Sequence, residues 1–285
     1  MKNTRLNVFL SHAGLCSRRK ADELIQSGAI TINHAPITDP AYLVKDADTV
    51  RHGKKVITHS SIPLVTLIIN KPAGVITTAS DEKNRLTITD FIKKKFKTRV
   101  YPVGRLDTNT TGALLLTNDG ELAHALTHPS FEIKKVYKAT LSRPLSDEHM
   151  DRIKRGVYLE DGPLKIDGLH RAQNKQRITV TIHSGRNRII RRLFEHFGYL
   201  VNELERISFA NITCKGLTPG TYRFLTSEEI KKLHAYAAKQ AENMKPIAQR
   251  PKKRRPTLKK RNVPLRRTVA KKISTKKKAI FKSKI

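Results

Sequence analysis

A polar loop around residue 107 carries a single carboxylate between two apolar segments. The loop, residues 104–112, contains one Asp, one Asn, three Thr and two Gly, which are residues typical of turns. Residues 100–103 and 113–117 flank it and predict a buried strand on each side. Asp107 could simply cap the backbone of a hairpin turn. Because functional side chains concentrate in loops that a rigid scaffold holds, we expect Asp107 to be a functional residue instead.

Other segments must position this loop. Residues 64–69 form an apolar run that predicts a buried strand, and a turn through residues 70–74 follows it. Residues 177–198 change from the alternating pattern of a strand to the apolar stripe of a helix. On that helix Arg188 and Arg192 would lie four residues apart and repel each other. The repulsion indicates an anionic partner.

The seventeen-residue run GRLDTNTTGALLLTNDG, residues 104–120, resembles the catalytic signature of the pseudouridine synthases that modify ribosomal RNA. These enzymes detach the uracil of a uridine, turn it and rejoin it through C5. In that family the Asp of the Gly-Arg-Leu-Asp run is essential, which implies that Asp107 is the catalytic carboxylate. The resemblance extends over approximately residues 5–230.

The resemblance implies further site residues. Tyr137, in a Lys-x-Tyr context, would stack on a target base drawn out of the RNA. The family pattern Gly-x-Asn-Arg-x-x-Arg-Arg matches residues 185–192, and the first Arg of its final pair, here Arg191, pairs with the catalytic Asp. Arg105 would reach into the space that the base vacates. We expect other RNA contacts from Lys71, Arg186, Arg188 and Arg192.

A separate basic segment lies near the N-terminus. Ser17 is a good helix N-cap, and Arg18, Arg19 and Lys20 follow it in the first helical turn. Cations at a helix N-terminus oppose the macrodipole, so a phosphate partner explains them better than folding does. The segment around them, residues 14–33, resembles the small RNA-binding domain first seen in ribosomal protein S4. A solvated basic helix is the alternative.

The charge of the chain indicates a polyanionic partner. Lys and Arg number 57 against 24 Asp and Glu, a net charge of +33 over 285 residues. Residues 245–285 hold 18 of these cations and no acid, so residues 1–244 retain 39 cations against 24 acids, or +15. Both parts suit RNA binding. We expect the tail to be disordered and to serve as an RNA arm, with a merely solubilising tail as the alternative.

Several classes of site are not expected. The two cysteines, Cys16 and Cys214, are far apart and lack the spacing of a zinc site. His124 and His128 are four residues apart but have no third ligand nearby in sequence, so we expect no metal. The reaction implied by the resemblance needs no cofactor. No apolar run approaches a membrane span, so we expect a cytoplasmic protein without membrane association.

These observations predict an α+β protein: an S4-type RNA-binding domain at residues 1–60, a synthase domain with a mainly antiparallel sheet flanked by helices at residues 61–244, and a basic tail at residues 245–285. We expect a monomer that acts on ribosomal RNA or a pre-ribosomal particle. Residues 155–162, the 185–188 run and the tail look most like the large-subunit enzyme of this family, and this resemblance implies large-subunit ribosomal RNA as the substrate. The alternatives are a small-subunit enzyme, a transfer-RNA synthase, and a non-catalytic ribosome-assembly factor.

Overall fold

The computed structural model describes residues 4–58, 63–78, 81, 83–93, 96 and 98–242. The predicted tail and residues 59–62, which include the predicted boundary between the two domains, therefore lie outside the described residues. Among the described residues, no helix combines the length and apolar character needed to cross a membrane.

The N-terminal module, residues 4–57, combines two helices with short antiparallel strands. Its elements are β1 (Thr4–Arg5), α1 (Leu6–His12), α2 (Arg18–Gln26), β2 (Ile30–Ile32), β3 (Ala35–Pro36), β4 (Leu43–Val44), β5 (Val50–His52) and β6 (Lys55–Ile57). Strands β3, β2, β5 and β6 form one sheet, and β1 pairs with β4. Leu6, Leu10 and Ile25 of the helices are fully buried in one cluster with Ile30 of the sheet, so the module has an apolar core of its own.

Helix α2 begins where the sequence predicts it. Ser17 Oγ accepts a hydrogen bond from Lys20 N at 3.2 Å, which supplies the predicted N-cap. Arg18, Arg19 and Lys20 form an exposed first turn. The Lys20 Nζ is paired with Glu23 at 2.7 Å, whereas the two arginines carry no ion pair with a described residue. The first turn therefore exposes two guanidinium groups that are not paired with any acid in the described part of the chain.

The larger module, residues 64–242, is built on one sheet. Its strands are β7 (Thr66–Lys71), β8 (Tyr101–Pro102), β9 (Thr111–Thr117), β10 (Lys135–Leu141), β11 (Val157–Leu159), β12 (Gly162–Leu164), β13 (Gly168–Arg171), β14 (Arg177–Ile182), β15 (Val201–Phe209), β16 (Ile212–Thr213) and β17 (Tyr222–Phe224). Its helices are α3 (Ile88–Lys93), α4 (Gly120–Thr127), α5 (Asp147–Arg155), α6 (Ile189–Glu195) and α7 (Ser227–Glu242), with a 3₁₀ turn at Pro129–Phe131.

The sheet runs in the order β13-β14-β10-β15-β9-β7-β17, with β8 on β9 and β16 on β15, while β11 and β12 form a separate hairpin. Its pairs are antiparallel except β15 and β9, which run parallel for two residues. At that crossing a Cβ on Gly112 would lie 2.4 Å from the carbonyl oxygen of Arg206, and Gly112 has φ +101°. Glycine is therefore required there. This architecture confirms the predicted α+β class.

Both faces of the central strands are covered, which explains their nearly unbroken apolar sequences. In β9, Leu114 and Leu116 pack into one cluster with Ile88 of α3. Leu115 points the other way and packs into a second cluster with Leu122 of α4. The loops at the ends of β7 and β9 are thus attached to a rigid, doubly covered sheet.

Local capping rules hold for the helices around this sheet. Asp119 Oδ1 accepts hydrogen bonds from Glu121 N at 3.0 Å and Leu122 N at 2.9 Å, so this acid caps α4. At the start of α7, Thr226 N donates to Glu229 Oε2 at 2.9 Å and Glu229 N donates to Thr226 Oγ1 at 3.2 Å, which forms a capping box.

Candidate active site

The loop between β8 and β9 is held in place by contacts with buried residues. Leu106 is 7% exposed and packs in the apolar cluster under the loop. Thr77 Oγ1 donates to Leu106 O at 2.9 Å and accepts from Leu106 N at 3.3 Å. Thr110 N donates to Asp107 O at 3.0 Å and closes the turn that follows. Asp107 therefore stands next to an anchored residue, with its side chain 35% exposed.

Lys71 fastens the same loop from within the protein. Its side chain is fully buried, and Nζ donates to the carbonyls of Pro72 at 2.9 Å, Thr108 at 3.0 Å and Thr110 at 3.0 Å. Burial lowers the pKa of Lys71 to about 8, and the nearby charge of Asp107 opposes that shift. The prediction that Lys71 contacts RNA is wrong, because the side chain is fully buried and three carbonyls occupy its ammonium group.

Arg188 is the guanidinium that meets Asp107. Its Nη1 lies 3.8 Å from Asp107 Oδ2. Arg188 occupies the N-cap position of α6 with φ 46° and ψ 31°, a left-handed conformation that is uncommon for a residue other than glycine. The apolar periodicity predicts that Arg188 lies on the surface of this helix. In the structure the helix begins only at Ile189, so Arg188 lies just before it.

Arg191 makes a different contact. Its Nη1 donates to Val201 O at 2.7 Å, which ties α6 to the start of β15. Arg191 is not among the residues that line the cavity beside Asp107. The expected pairing of Arg191 with Asp107 is therefore corrected to Arg188. The physical reason is the left-handed backbone of Arg188, which delays the start of the helix to Ile189 and turns Arg188 toward the loop.

The aromatic and cationic walls of the site come from β10 and β15. Tyr137 is half-buried, packs between two apolar clusters and lies opposite Arg206 in the sheet. Arg206 is 2% exposed; its Nε donates to Ala113 O at 2.8 Å and its guanidinium carbon lies 4.7 Å from the centre of the Phe209 ring. One of its terminal nitrogens, Nη2, is buried without a hydrogen-bond partner among the described residues.

These residues line one cavity of about 430 Å³, a volume within the range of small-ligand sites. Asp107 is its one carboxylate among the described lining residues. The cations that line it are Arg105, Lys135, Arg186, Arg188 and Arg206. One acid and one aromatic ring that line the same cationic cavity suit nucleophilic or acid–base chemistry on an anionic ligand such as a nucleotide.

Comparison with known proteins identifies the family. The RNA pseudouridylate synthase family model matches residues 65–196, and the S4 domain model matches residues 4–50. The chain is 42% identical over 239 residues to the ribosomal large subunit pseudouridine synthase B of Bacillus subtilis (strain 168), across 82% of this chain and 96% of that protein. The chain belongs to the RNA pseudouridine synthase family.

Two other members of the family support the same assignment. The dual-specificity RNA pseudouridine synthase RluF of Escherichia coli (strain K12) is 33% identical over 253 residues, across 86% of this chain and 83% of that protein. A crystal structure of pseudouridylate synthase matches with a TM-score of 0.58 and 29% identity, across 80% of this chain and 99% of that chain. The predicted family, the predicted S4-type module and the predicted enzyme class are confirmed.

The other cations predicted to contact RNA in this pseudouridine synthase are only partly available. Arg186 donates to Asp161 Oδ1 at 2.8 Å and to the carbonyls of the β11–β12 hairpin, and Arg192 also pairs with Asp161. Their guanidinium groups are therefore occupied within the protein. Arg105 is exposed at the cavity rim and has no ion pair with a described residue. Its predicted contact with RNA stays a prediction.

Two cavity residues of the pseudouridine synthase escaped prediction from the sequence. Arg206 lies on the same inward-facing side of β15 as Leu204, and the other inward positions of that strand are apolar. A charged residue at an inward position was the sequence feature that could have indicated its role. Lys135 Nζ donates to Ile133 O at 3.1 Å and His183 O at 2.7 Å. Burial, followed by the charge of Arg206, lowers the pKa of Lys135 to about 8. No local pattern predicts this burial.

Proposed function

We propose that this protein isomerises a specific uridine of large-subunit ribosomal RNA to pseudouridine, with Asp107 as the catalytic carboxylate. The observation that carries the proposal is the 3.8 Å approach of Arg188 to Asp107, the single acid among the described lining residues of a cavity that also holds cations and Tyr137. Arg188 orients the carboxylate, and Tyr137 stacks on the extruded uracil. Flipping the base costs a few kcal/mol, least where the uridine is weakly paired.

The reaction is an isomerisation, so its atoms balance without a co-reactant. The bond between N1 of uracil and C1′ of ribose breaks, and a bond between C5 and C1′ forms. C5 loses a proton and N1 gains one. Asp107 can initiate this by attacking the sugar, by attacking the base or by removing a ribose proton; all three need the carboxylate beside the flipped nucleotide.

The choice of RNA rests on the relatives and on charge. The Bacillus subtilis relative is described as a large-subunit enzyme, whereas RluF is described as dual-specificity. The exposed Arg18 and Arg19 of the S4-type module supply phosphate contacts outside the catalytic cavity. Small-subunit ribosomal RNA is the second candidate. A monomeric state and a cytoplasmic location are parts of the proposal that come from the sequence alone.

The test compares Asp107→Asn with the unaltered protein on ribosomal RNA from cells lacking the gene. Pseudouridines are mapped in both subunit RNAs by base-selective chemical modification and primer extension, and RNA binding is measured in parallel. The proposal expects loss of one large-subunit pseudouridine with binding retained. An unchanged yield of pseudouridine with Asp107→Asn would exclude catalysis by Asp107. A pseudouridine formed in small-subunit RNA would show that small-subunit RNA is the substrate.

A matched control separates chemistry from charge. Asp151→Asn makes the same isosteric change at an exposed acid of α5 whose only ion pair with a described residue is a 3.9 Å contact to Lys154. This variant should form pseudouridine at the normal rate. Equal losses in both variants would indicate a general effect of charge on RNA binding and would contradict a special role for Asp107.

A further inference from the structure

A second groove opens beside the cavity of Asp107. It has a volume of about 900 Å³ and runs between the end of α4, the β11–β12 hairpin and residues 183–186. Six residues line both spaces: Leu126, Thr127, Lys135, Ser184, Gly185 and Arg186. A nucleotide held at Asp107 would therefore have its neighbours along the strand at the mouth of this groove.

The charge of the groove suits a polyanion. Its described lining residues include Lys135, Arg155, Lys165 and Arg186 and no Asp or Glu. Arg155 and Lys165 are exposed, and no carboxylate of a described residue lies within 4.0 Å of either. These two cations remain available to phosphate groups, unlike Arg186, whose guanidinium the hairpin occupies.

Tyr158 forms an aromatic edge of the groove. It lies on β11 opposite Pro163 of β12, and 75% of the residue is exposed. Tyr158 is the most exposed of the large apolar or aromatic side chains in the described part of the chain. An exposed aromatic ring beside unpaired cations is the usual composition of a platform on which nucleobases stack.

The hairpin that carries Tyr158 is held in place from the catalytic side. Arg186 donates to the carbonyls of Asp161, Gly162 and Pro163 at 3.0, 3.3 and 3.0 Å, and to the carboxylate of Asp161 at 2.8 Å. Arg186 precedes Arg188 by two residues in the same loop. One short segment therefore positions both the guanidinium at Asp107 and the hairpin that bears the exposed ring.

We propose that this groove binds the RNA strand next to the target uridine, with a flanking nucleobase stacked on Tyr158 and its phosphates near Arg155 and Lys165. The inference rests on the proposed function, since it assigns a role to the nucleotides beside the one that reacts. The groove selects among RNA sites by requiring an unpaired neighbour that can stack.

The absence of tryptophan from the chain permits a direct test of stacking. Tyr158→Trp introduces one tryptophan into the full-length protein, and a stacked base quenches its fluorescence. The probes are an oligouridylate of about fifteen nucleotides and an abasic strand of the same length, which offers phosphates without bases. The control is Leu200→Trp, at a residue that is 65% exposed and does not line the groove.

We expect quenching of Tyr158→Trp by the oligouridylate, none by the abasic strand, and none in Leu200→Trp with either probe. Bound oligouridylate without quenching of Tyr158→Trp would overturn the proposal. Equal quenching by the abasic strand would also overturn it, because phosphates alone would then explain the signal.

Turnover provides a second, independent measurement. With ribosomal RNA from cells lacking the gene, Tyr158→Ala should raise KM at least about 5-fold, and Tyr158→Phe should restore it, because stacking needs the ring and not the hydroxyl. An unchanged KM in Tyr158→Ala, while Asp107→Asn abolishes product, overturns the groove assignment and leaves the catalytic proposal intact. Absence of product with the unaltered protein would instead reject the catalytic proposal.

Discussion

Arg188 approaches Asp107 to 3.8 Å from the residue that precedes helix α6, where its backbone is left-handed. A residue other than glycine in this conformation is held at a cost of about 1–2 kcal/mol. The surrounding contacts therefore keep a strained backbone that turns the guanidinium toward the loop of the carboxylate. Strain of this kind is often found at functional sites.

The first prediction distinguishes the role of Arg188 from that of Arg191. Arg188→Ala should lower kcat/KM by about 100-fold, as loss of a preorganised charge typically does. Arg188→Gly removes the same side chain but suits the left-handed backbone, so it should be equally inactive yet more stable than Arg188→Ala by about 1 kcal/mol. Activity follows from pseudouridine formation, and stability from chemical denaturation.

Arg191→Ala is the counterpart. It loses the bond to Val201 O, so it should cost about 2 kcal/mol of stability, the usual contribution of a hydrogen bond from a charged group, while the folded protein retains turnover. A folded but inactive Arg191→Ala, together with an active Arg188→Ala, would restore the pairing that the sequence predicts.

The second prediction concerns pH and Lys71. Its pKa in the folded protein is about 8, against an ordinary value of 10.5. Between these values the unfolded chain binds a proton that the folded chain has released, so this residue's contribution to the free energy of unfolding rises with pH. The stability of the unaltered protein relative to Lys71→Met should therefore increase by about 2 kcal/mol between about pH 7.5 and 9.5.

The exposed Lys215 supplies the control for this measurement. Lys215→Met makes the same chemical change at an exposed side chain, so it reports what the loss of a solvated cation alone does to stability over the same pH range. A stability difference for Lys71→Met that does not change between about pH 7.5 and 9.5 would contradict the lowered pKa of Lys71.

The third prediction concerns the crossing of β9 and β15. Gly112→Ala would place a methyl group 2.4 Å from Arg206 O and should cost more than about 3 kcal/mol or prevent folding. Gly216 also has a positive φ, +81°, but apart from Gly216 itself and its two chain neighbours no described residue has an atom within 4 Å of the position that a Cβ would take there. Gly216→Ala should cost only about 1–2 kcal/mol, measured by thermal unfolding. Similar losses of stability in both variants would mean that the backbones of β9 and β15 do not pack closely at this crossing.

The fourth prediction concerns the support of the catalytic loop. Thr77→Val keeps the side-chain shape but removes both hydrogen bonds to the backbone of Leu106, so it should cost about 2 kcal/mol and lower kcat. Thr179→Val is the control, because that strand threonine makes no side-chain hydrogen bond to a described residue. Unchanged kcat in Thr77→Val would show that the loop holds its position without this bridge.

The fifth prediction concerns the basic tail, which the sequence alone defines. Removal of residues 245–285 deletes 18 cations, so the dependence of RNA affinity on salt should become less steep. Turnover at saturating RNA should be retained, because the cavity lies within residues 64–242. A full-length variant with the tail cations replaced by Gln controls for chain length. An unchanged salt dependence would favour a solubilising tail.

Much of this protein could be predicted from local sequence. The turn residues around Asp107 between two apolar runs predicted a loop on buried strands, and Ser17 marked the start of a helix that the structure contains. These features depend on residues a few positions apart, so the chain alone determines them. The signature at residues 104–120 carries the resemblance to the family, and the net charge indicates a polyanionic partner.

Tertiary structure decided which cations serve the site. Helical periodicity could not reveal the left-handed residue at Arg188, and the family pattern assigned the contact with Asp107 to Arg191. The sequence left Lys71 available for contact with RNA, but in the structure its ammonium group is buried and donates to three backbone carbonyls. Arg206 lines the cavity only because β15 pairs with β9. The physical reason is common to all three: burial and side-chain direction depend on contacts between segments that are distant in the chain.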